Sequence, residues 1–430
     1  MPMSKDFESR LHPVLSTVAQ RFGTPFHIYD ELGIHETCTA FETAFQHTAY
    51  REHFAVKGLP NPVMLRMLAE RGLGFDCSSL PELTLATQAG AVGHDICFTS
   101  NNTSRVELEA ALRLGALITV DDVTVFDKLV EIGDMPETLC FRVHPGIGGA
   151  EVGESYLGKA ESAKFGVPTG RLVELCARAR RHGVRSIGLH MMLGSGFLSY
   201  QPFLRSLDLL LEQGDRLRES LGLAIEFVNL GGGIGIPYRP DEDAFDLAGL
   251  GRAIRDRLAQ WERRHRVPRP RVLFESGRFV TGPHGVLVTR VVNRMSKGRE
   301  YVGVDAGMSA LMRPALYGAY HHVTVPGGAD RPREVVDVVG SLCENNDKFA
   351  QQREIPATRE GDFVLIHDTG AHALSMGFAY NGRLRPQELL FRRDGSVERI
   401  RRAENEGDYF ATLDFAPLRL APSELPVGAV

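Results

Sequence analysis

The 430-residue chain has no apolar run approaching the roughly 18 residues that a membrane-spanning helix needs. Its opening stretch, MPMSKDFESRLHPVLSTVAQRFG, has no apolar core of signal-peptide length. It has no surplus of basic residues either: the formal charge is −5, which gives no support for nucleic acid or an anionic membrane as partner. Cysteine is scarce and scattered. The six residues, Cys38, Cys77, Cys97, Cys140, Cys176 and Cys343, form no C-x-x-C pair. That argues against a zinc site or a disulfide framework and fits a reducing cytoplasm. Internal repeats, low-complexity segments and a Walker motif are also missing. With 43% hydrophobic and 24% charged residues, the composition is that of a globular protein. The expectation is a cytosolic protein without metal whose ligand is a small molecule.

Between about residues 50 and 280, short apolar strands alternate with helical stretches. The strand candidates are HFAVK, GFDCSS, DICFTS, ALITVDD, LCFRVHP, SIGLHMML, AIEFVNLGG and RVLFESGR. Intervening segments such as PNPVMLRMLAERGLG have helical periodicity and a glycine at the C-terminal end. Eight such units predict a (β/α)₈ barrel, with a doubly wound sheet as the alternative. Beyond 280 the sequence becomes β-rich, in GVLVTRVVNRM, REYVGVDAG, HHVTVPGG, REVVDVVGS and GDFVLIHDTG. TPFHIYDE, near the N-terminus, reads as a strand that joins this second region. The division is therefore a barrel over 33–280 and a β-rich domain from 1–32 and 281–430. The glycine-rich segment 145–166 reads as a mobile loop near an active site.

Barrel enzymes carry their chemistry at the C-terminal ends of the strands. Those ends hold Lys57, Asp76, Asn101, Asp121, His144, the LGSG at 193–196, Gly231 to Gly233, and Glu275 with Arg278. Burial of Lys57 would lower its pKa and leave a reactive amine, although a lysine there can also reach water. Three glycines let backbone N–H groups approach an anion, and an arginine grips phosphate in bidentate fashion. GGGIG does not complete G-x-G-x-x-G, because Ile236 holds the last glycine position, which disfavours a nucleotide. A phosphate site beside a strand-end lysine points to pyridoxal phosphate, whose aldehyde the lysine would bond. Glu275 would face the pyridine nitrogen.

The motifs FAVKG, FDCSSLPEL, NLGGGIGIPY, FESGRFV, LMRPALYGAYHH, GSLCENNDKFA and DTGAHALSMGFAYNG follow one another in this order. Through them the chain resembles the fold-type III pyridoxal-phosphate decarboxylases, most closely the diaminopimelate decarboxylases, over nearly its whole length. The resemblance implies that Lys57 bonds the cofactor and Glu275 meets its ring nitrogen. It further implies that Asp76, His190, Ser195, Gly231, Gly232, Gly233, Arg278 and His372 line the cofactor site. Arg278, Arg313, Tyr317 and Glu344 would bind substrate, with Arg313 and Tyr317 reading a distal carboxylate. Active sites shared across a homodimer are implied as well, the partner lending Glu344 and Cys343, the latter as the acid that returns a proton.

The chain departs from this family's pattern at several places. The usual GLHxHIGSQ reads GLHMMLGSG, so Met192 stands where a histidine stacks on the cofactor ring. His372 replaces a tyrosine, Ser276 a proline, and Asn345 and Asn346 the small residues after Cys343 and Glu344. The expected reaction is decarboxylation of meso-2,6-diaminopimelate to L-lysine. The alternatives are another amino acid with a distal carboxylate or polar group, and a cofactor-binding homologue without turnover.

Overall fold

The computed structural model describes residues 3–144, 164–416 and 419. Most of the expected loop at 145–166 lies outside the described residues. Strand β1 (Phe26–Asp30) precedes eight strands: Tyr50–Ala55 (β2), Gly74–Cys77 (β3), Ile96–Thr99 (β4), Leu117–Val120 (β5), Thr138–Arg142 (β6), Ser186–His190 (β7), Ile225–Asn229 (β8) and Arg271–Phe274 (β9). These eight are parallel and close into a barrel, β9 pairing with β2. Closure removes the doubly wound alternative.

The barrel closes because the pleat and the side-chain sizes agree. Alternate residues of neighbouring strands point inward, and Cys97, Leu117, Cys140, Phe227 and Leu273 form an interior cluster. Gly188 on β7 makes room for one of them, since a β-carbon there would lie 2.0 Å from the Phe227 ring. The other face of each strand packs on helices in the main core, where Phe54, Phe75, Phe98 and Phe141 are buried. Side-chain caps start these helices just past the strand ends: Asn61 accepts from the Val63 N–H, and Ser104 with Glu107 forms a capping box.

The remaining strands are Gly285–Ser296 (β10), Glu300–Val304 (β11), Val323–Thr324 (β12), Arg333–Val339 (β13), Lys348–Pro356 (β14), Phe363–Ile366 (β15), Gln387–Phe391 (β16) and Val397–Arg401 (β17). With β1 they form a nine-stranded sheet whose main path runs β14-β13-β11-β10-β1-β16-β17. The strand near the N-terminus thus lies inside the C-terminal sheet, antiparallel to β10 and parallel to β16. Two N-terminal helices, Lys5–Leu11 and Leu15–Phe22, cover it through Phe7, Leu11, Leu15 and Val18. Among the described residues no helix is long and apolar enough to cross a membrane.

Candidate active site

Strand β2 stops at Ala55, and Lys57 falls in the tight turn Val56–Gly58 that follows it. The Lys57 Nζ lies 3.1 Å from Asp76 Oδ2 at the end of the adjacent β3. The amine side chain is 53% exposed and the carboxylate 1%. Sequence reasoning expected burial to lower the lysine pKa, but the structure reverses this. Asp76 outweighs desolvation, Glu275 adds to it, and together they raise the Lys57 pKa. Burial pushes the Asp76 carboxyl upward, with Lys57 opposing and Glu275 reinforcing.

Glu275 follows β9 and is buried. Its Oε1 accepts from Asn229 Nδ2 at 2.8 Å and Thr99 Oγ1 at 3.1 Å, while His190 Nε2 stands 3.3 Å from Oε2. Burial opposes ionisation, but His190, Lys57 and Asn229 outweigh it and hold the carboxyl below its usual range. The site therefore contains a fixed, buried negative charge at the end of the barrel. Asn229 and Thr99 were not singled out from sequence; the NLGGG string contains the first, whose Oδ1 also accepts from the Gly231 N–H.

The adjoining loops are tied down. Ser276 N–H donates to the buried Glu52 Oε1 at 2.6 Å. A proline at 276 would lack that donor, so the departure at Ser276 has a local use. Gly231 and Gly233 have φ values of 64° and 103°. A β-carbon on Gly232 would lie 2.5 Å from the Glu275 carbonyl oxygen, and one on Gly233 2.4 Å from that of Gly194. Only glycine lets these two loops approach so closely. Gly196 N–H donates to Gly233 O at 2.9 Å, which sets half-buried Ser195 beside the glycine cradle. Met192 shares the Gly231 rim with His190.

Arg278, buried Arg313 and Lys57 lie near His372. The His372 backbone N–H donates to Gly58 O at 2.9 Å, joining the β-rich domain to the lysine turn. Burial, followed by Arg278, Arg313 and Lys57, holds the His372 imidazole well below its ordinary pKa, so it is neutral. Both arginines donate to the Tyr238 hydroxyl, Arg278 Nη1 at 2.5 Å and Arg313 Nη1 at 2.6 Å. Tyr238 was also missed from sequence, because it lies in an irregular loop beyond the glycines.

The remaining expected residues lie apart from this cluster or serve the scaffold. Tyr317 is 48% exposed at the end of the short helix Arg313–Tyr317. Cys343 is exposed; its N–H donates to Asn381 Oδ1 at 2.7 Å, and Glu344 Oε1 accepts from the Asn346 N–H at 3.1 Å. These bonds stay within the β-rich domain. Buried Asp347 orders their loop by accepting from the N–H groups of Met308 and Leu342. Asp121, at its strand end, pairs with Arg142 at 3.1 Å and is structural.

The residues fit a phosphate-bearing aldehyde cofactor with a basic ring nitrogen: an amine, a buried carboxylate, a glycine cradle and an arginine converge. Arg278 Nε and Asp76 Oδ1 are buried without a hydrogen-bond partner among the described residues. The family model for the pyridoxal-binding domain of pyridoxal-dependent decarboxylases matches residues 32–282. Protein TabA of Pseudomonas amygdali pv. tabaci is 47% identical, over 97% of this chain and 98% of its own. Diaminopimelate decarboxylase of Methanothermobacter thermautotrophicus is 35% identical over 91% of this chain and 92% of its own. The crystal structure of diaminopimelate decarboxylase from M. jannaschii in co-complex with L-lysine superposes with a TM-score of 0.84. Its identity is 29%, covering 93% of this chain and 94% of that one. The chain belongs to the pyridoxal-dependent decarboxylase family, and its cofactor is pyridoxal phosphate.

Proposed function

We propose that this enzyme, a pyridoxal-phosphate-dependent amino-acid decarboxylase, converts meso-2,6-diaminopimelate to L-lysine and carbon dioxide. The observation that carries the reading is the pair of guanidiniums, Arg278 and Arg313, that meet at the Tyr238 hydroxyl. A second carboxylate on the substrate would answer that charge, and a simple diamine-chain amino acid has none.

When bound, pyridoxal phosphate supplies the electron-accepting ring for decarboxylation. Around it the chain's residues divide the work. Lys57 is the amine that holds the aldehyde, and Asp76 keeps it in place. Glu275, ionised and oriented by Asn229 and Thr99, offers its charge to the ring nitrogen. Ser195, Gly231, Gly232, Gly233 and Arg278 take the phosphate, with neutral His372 as a further donor and His190 against the ring. Met192 packs but exchanges no proton. Arg278, Arg313 and Tyr317 bind substrate carboxylate, and Glu344 the distal ammonium. Cys343 returns the proton.

Cys343 and Glu344 make local bonds in the β-rich domain and are exposed, which favours a homodimer in which each chain lends them to the other's site. In this reading residues 33–280 form the cofactor-binding barrel, and 1–32 with 281–430 complete the site. Six unpaired cysteines favour a reducing cytoplasm.

A second reading, a related amino acid with a distal carboxylate or polar group, is favoured by exposed Asn345 and Asn346 beside Glu344 and by the 47% likeness to a protein of another name. Incubation of the holoenzyme with meso-diaminopimelate, followed by mass spectrometry, separates the two. L-lysine formed over many turnovers supports the first; an intact cofactor spectrum with no lysine rejects it.

A further inference from the structure

The Tyr238 hydroxyl receives two charge-assisted hydrogen bonds, from Arg278 Nη1 at 2.5 Å and Arg313 Nη1 at 2.6 Å. A guanidinium has only donors, so both bonds fall on the acceptor side of the phenol oxygen. The hydroxyl proton has no place between two cations and must point towards a third group that accepts it. The ring itself is held. The Cζ atoms of Arg313 and Arg278 lie 5.1 and 5.8 Å from its centroid, and His321 meets it at 5.1 Å in a T-shaped contact. His321 is buried, and its Nδ1 bonds to His367 O at 2.8 Å. A fixed phenol with a committed acceptor side therefore presents a single O–H donor beside two guanidiniums.

We propose that Tyr238 is a specificity-determining residue that donates its O–H to the substrate's distal carboxylate and holds Arg278 and Arg313 as one clamp around it. The inference rests on the substrate reading above. The placement favours a carboxylate of the substrate over the cofactor phosphate. Tyr238 lies beyond the glycine cradle in the chain and is packed against His321 of the β-rich domain. Its second partner, Arg313, begins the short helix that ends in Tyr317. A hydroxyl that reads an anion by donation discriminates strongly, because a ligand without the anion leaves the O–H donor unmatched.

The test uses holoenzyme and Tyr238→Phe, which keeps the ring and removes the O–H. Affinities for L-lysine, the product that keeps the distal carboxylate, and for cadaverine, which lacks it, are read from the visible spectrum of the bound cofactor, with cofactor affinity measured in parallel. The native protein should prefer L-lysine over cadaverine, and Tyr238→Phe should lose about 10-fold or more of that preference, the scale of a hydrogen bond to a charged group. A merely structural tyrosine would weaken both ligands alike and leave the ratio unmoved, which overturns the proposal. Loss of cofactor affinity with the preference intact would assign the phenol to the phosphate and also overturn it. A native protein with no preference rejects the substrate reading itself, and the clamp with it. A native preference that survives in Tyr238→Phe rejects the clamp alone.

Discussion

Glu275 has Asn229, Thr99 and His190 around its carboxylate, whereas Arg278 and Arg313 meet at one phenol oxygen. The first charge is surrounded and oriented by the scaffold. The second pair shares a neutral acceptor. The contrast matches the roles proposed for the two groups. A ring nitrogen needs one charge at one fixed point, for which a preorganised carboxylate serves. A flexible substrate chain is better held by donors that converge on its far end. Lys57, the amine that would hold the cofactor, pairs with Asp76.

The largest expected effect is the loss of that amine. Lys57→Ala should remove the visible absorbance of the lysine-bound aldehyde and lower kcat by roughly 10⁴-fold or more. Near-normal turnover would break the assignment of both groups at once.

A paired substitution then sharpens the contrast. Glu275→Gln should lower kcat by about 100-fold while KM stays within a few-fold, because a charge needed in the reaction is gone. Arg313→Ala should do the reverse, raising KM for meso-diaminopimelate by about 10- to 100-fold and leaving cofactor affinity nearly unchanged. The same pattern in both variants would erase the division between them.

The smallest effect concerns acid. Burial first, then Arg313, Arg278 and Arg353, push His321 down to about 3 from an ordinary 6.5. Between those values the unfolded chain carries the extra proton, so stability falls as the pH drops from 6.5 towards 3. The depressed Glu275 acts later: its contribution is complete above its ordinary 4.5 and is lost only as pH falls further. Urea unfolding of His321→Phe between pH 6 and 4 should therefore show a slope shallower by about 1.4 kcal/mol per pH unit. An unchanged slope would mean that His321 is not held neutral.

The barrel was legible because each strand is a short apolar run followed by a helix with its own caps, two periodicities that alternate eight times. The β-rich region was harder. Strands β10, β11, β13 and β15 carry runs of valine and other apolar residues, but at the sheet margins β14 (KFAQQREIP) is polar through its middle and β17 (VERIR) is polar and mostly exposed. Strand β16 (QELLF) is fully buried yet too short to stand out. In the site, Lys57, Asp76 and Glu275 were legible as polar residues ending apolar strands. Tyr238, Asn229 and Glu52 were not, because their importance lies in bonds to residues far along the chain. The direction of the Lys57 pKa depended on one distance, 3.1 Å to Asp76, which no local pattern encodes.

The position of β1 has a consequence in time. Residues 26–30 leave the ribosome before any barrel strand, yet their neighbours in the sheet arrive only with residues 285–288 and 387–391. At ordinary synthesis rates of about 5–20 residues per second, this strand waits roughly 20 to 70 s for its parallel partner. The barrel strands, by contrast, pair with neighbours made just before them and can close during the wait. The barrel is therefore finished first. The β-rich domain is completed last, when the earliest strand is finally enclosed.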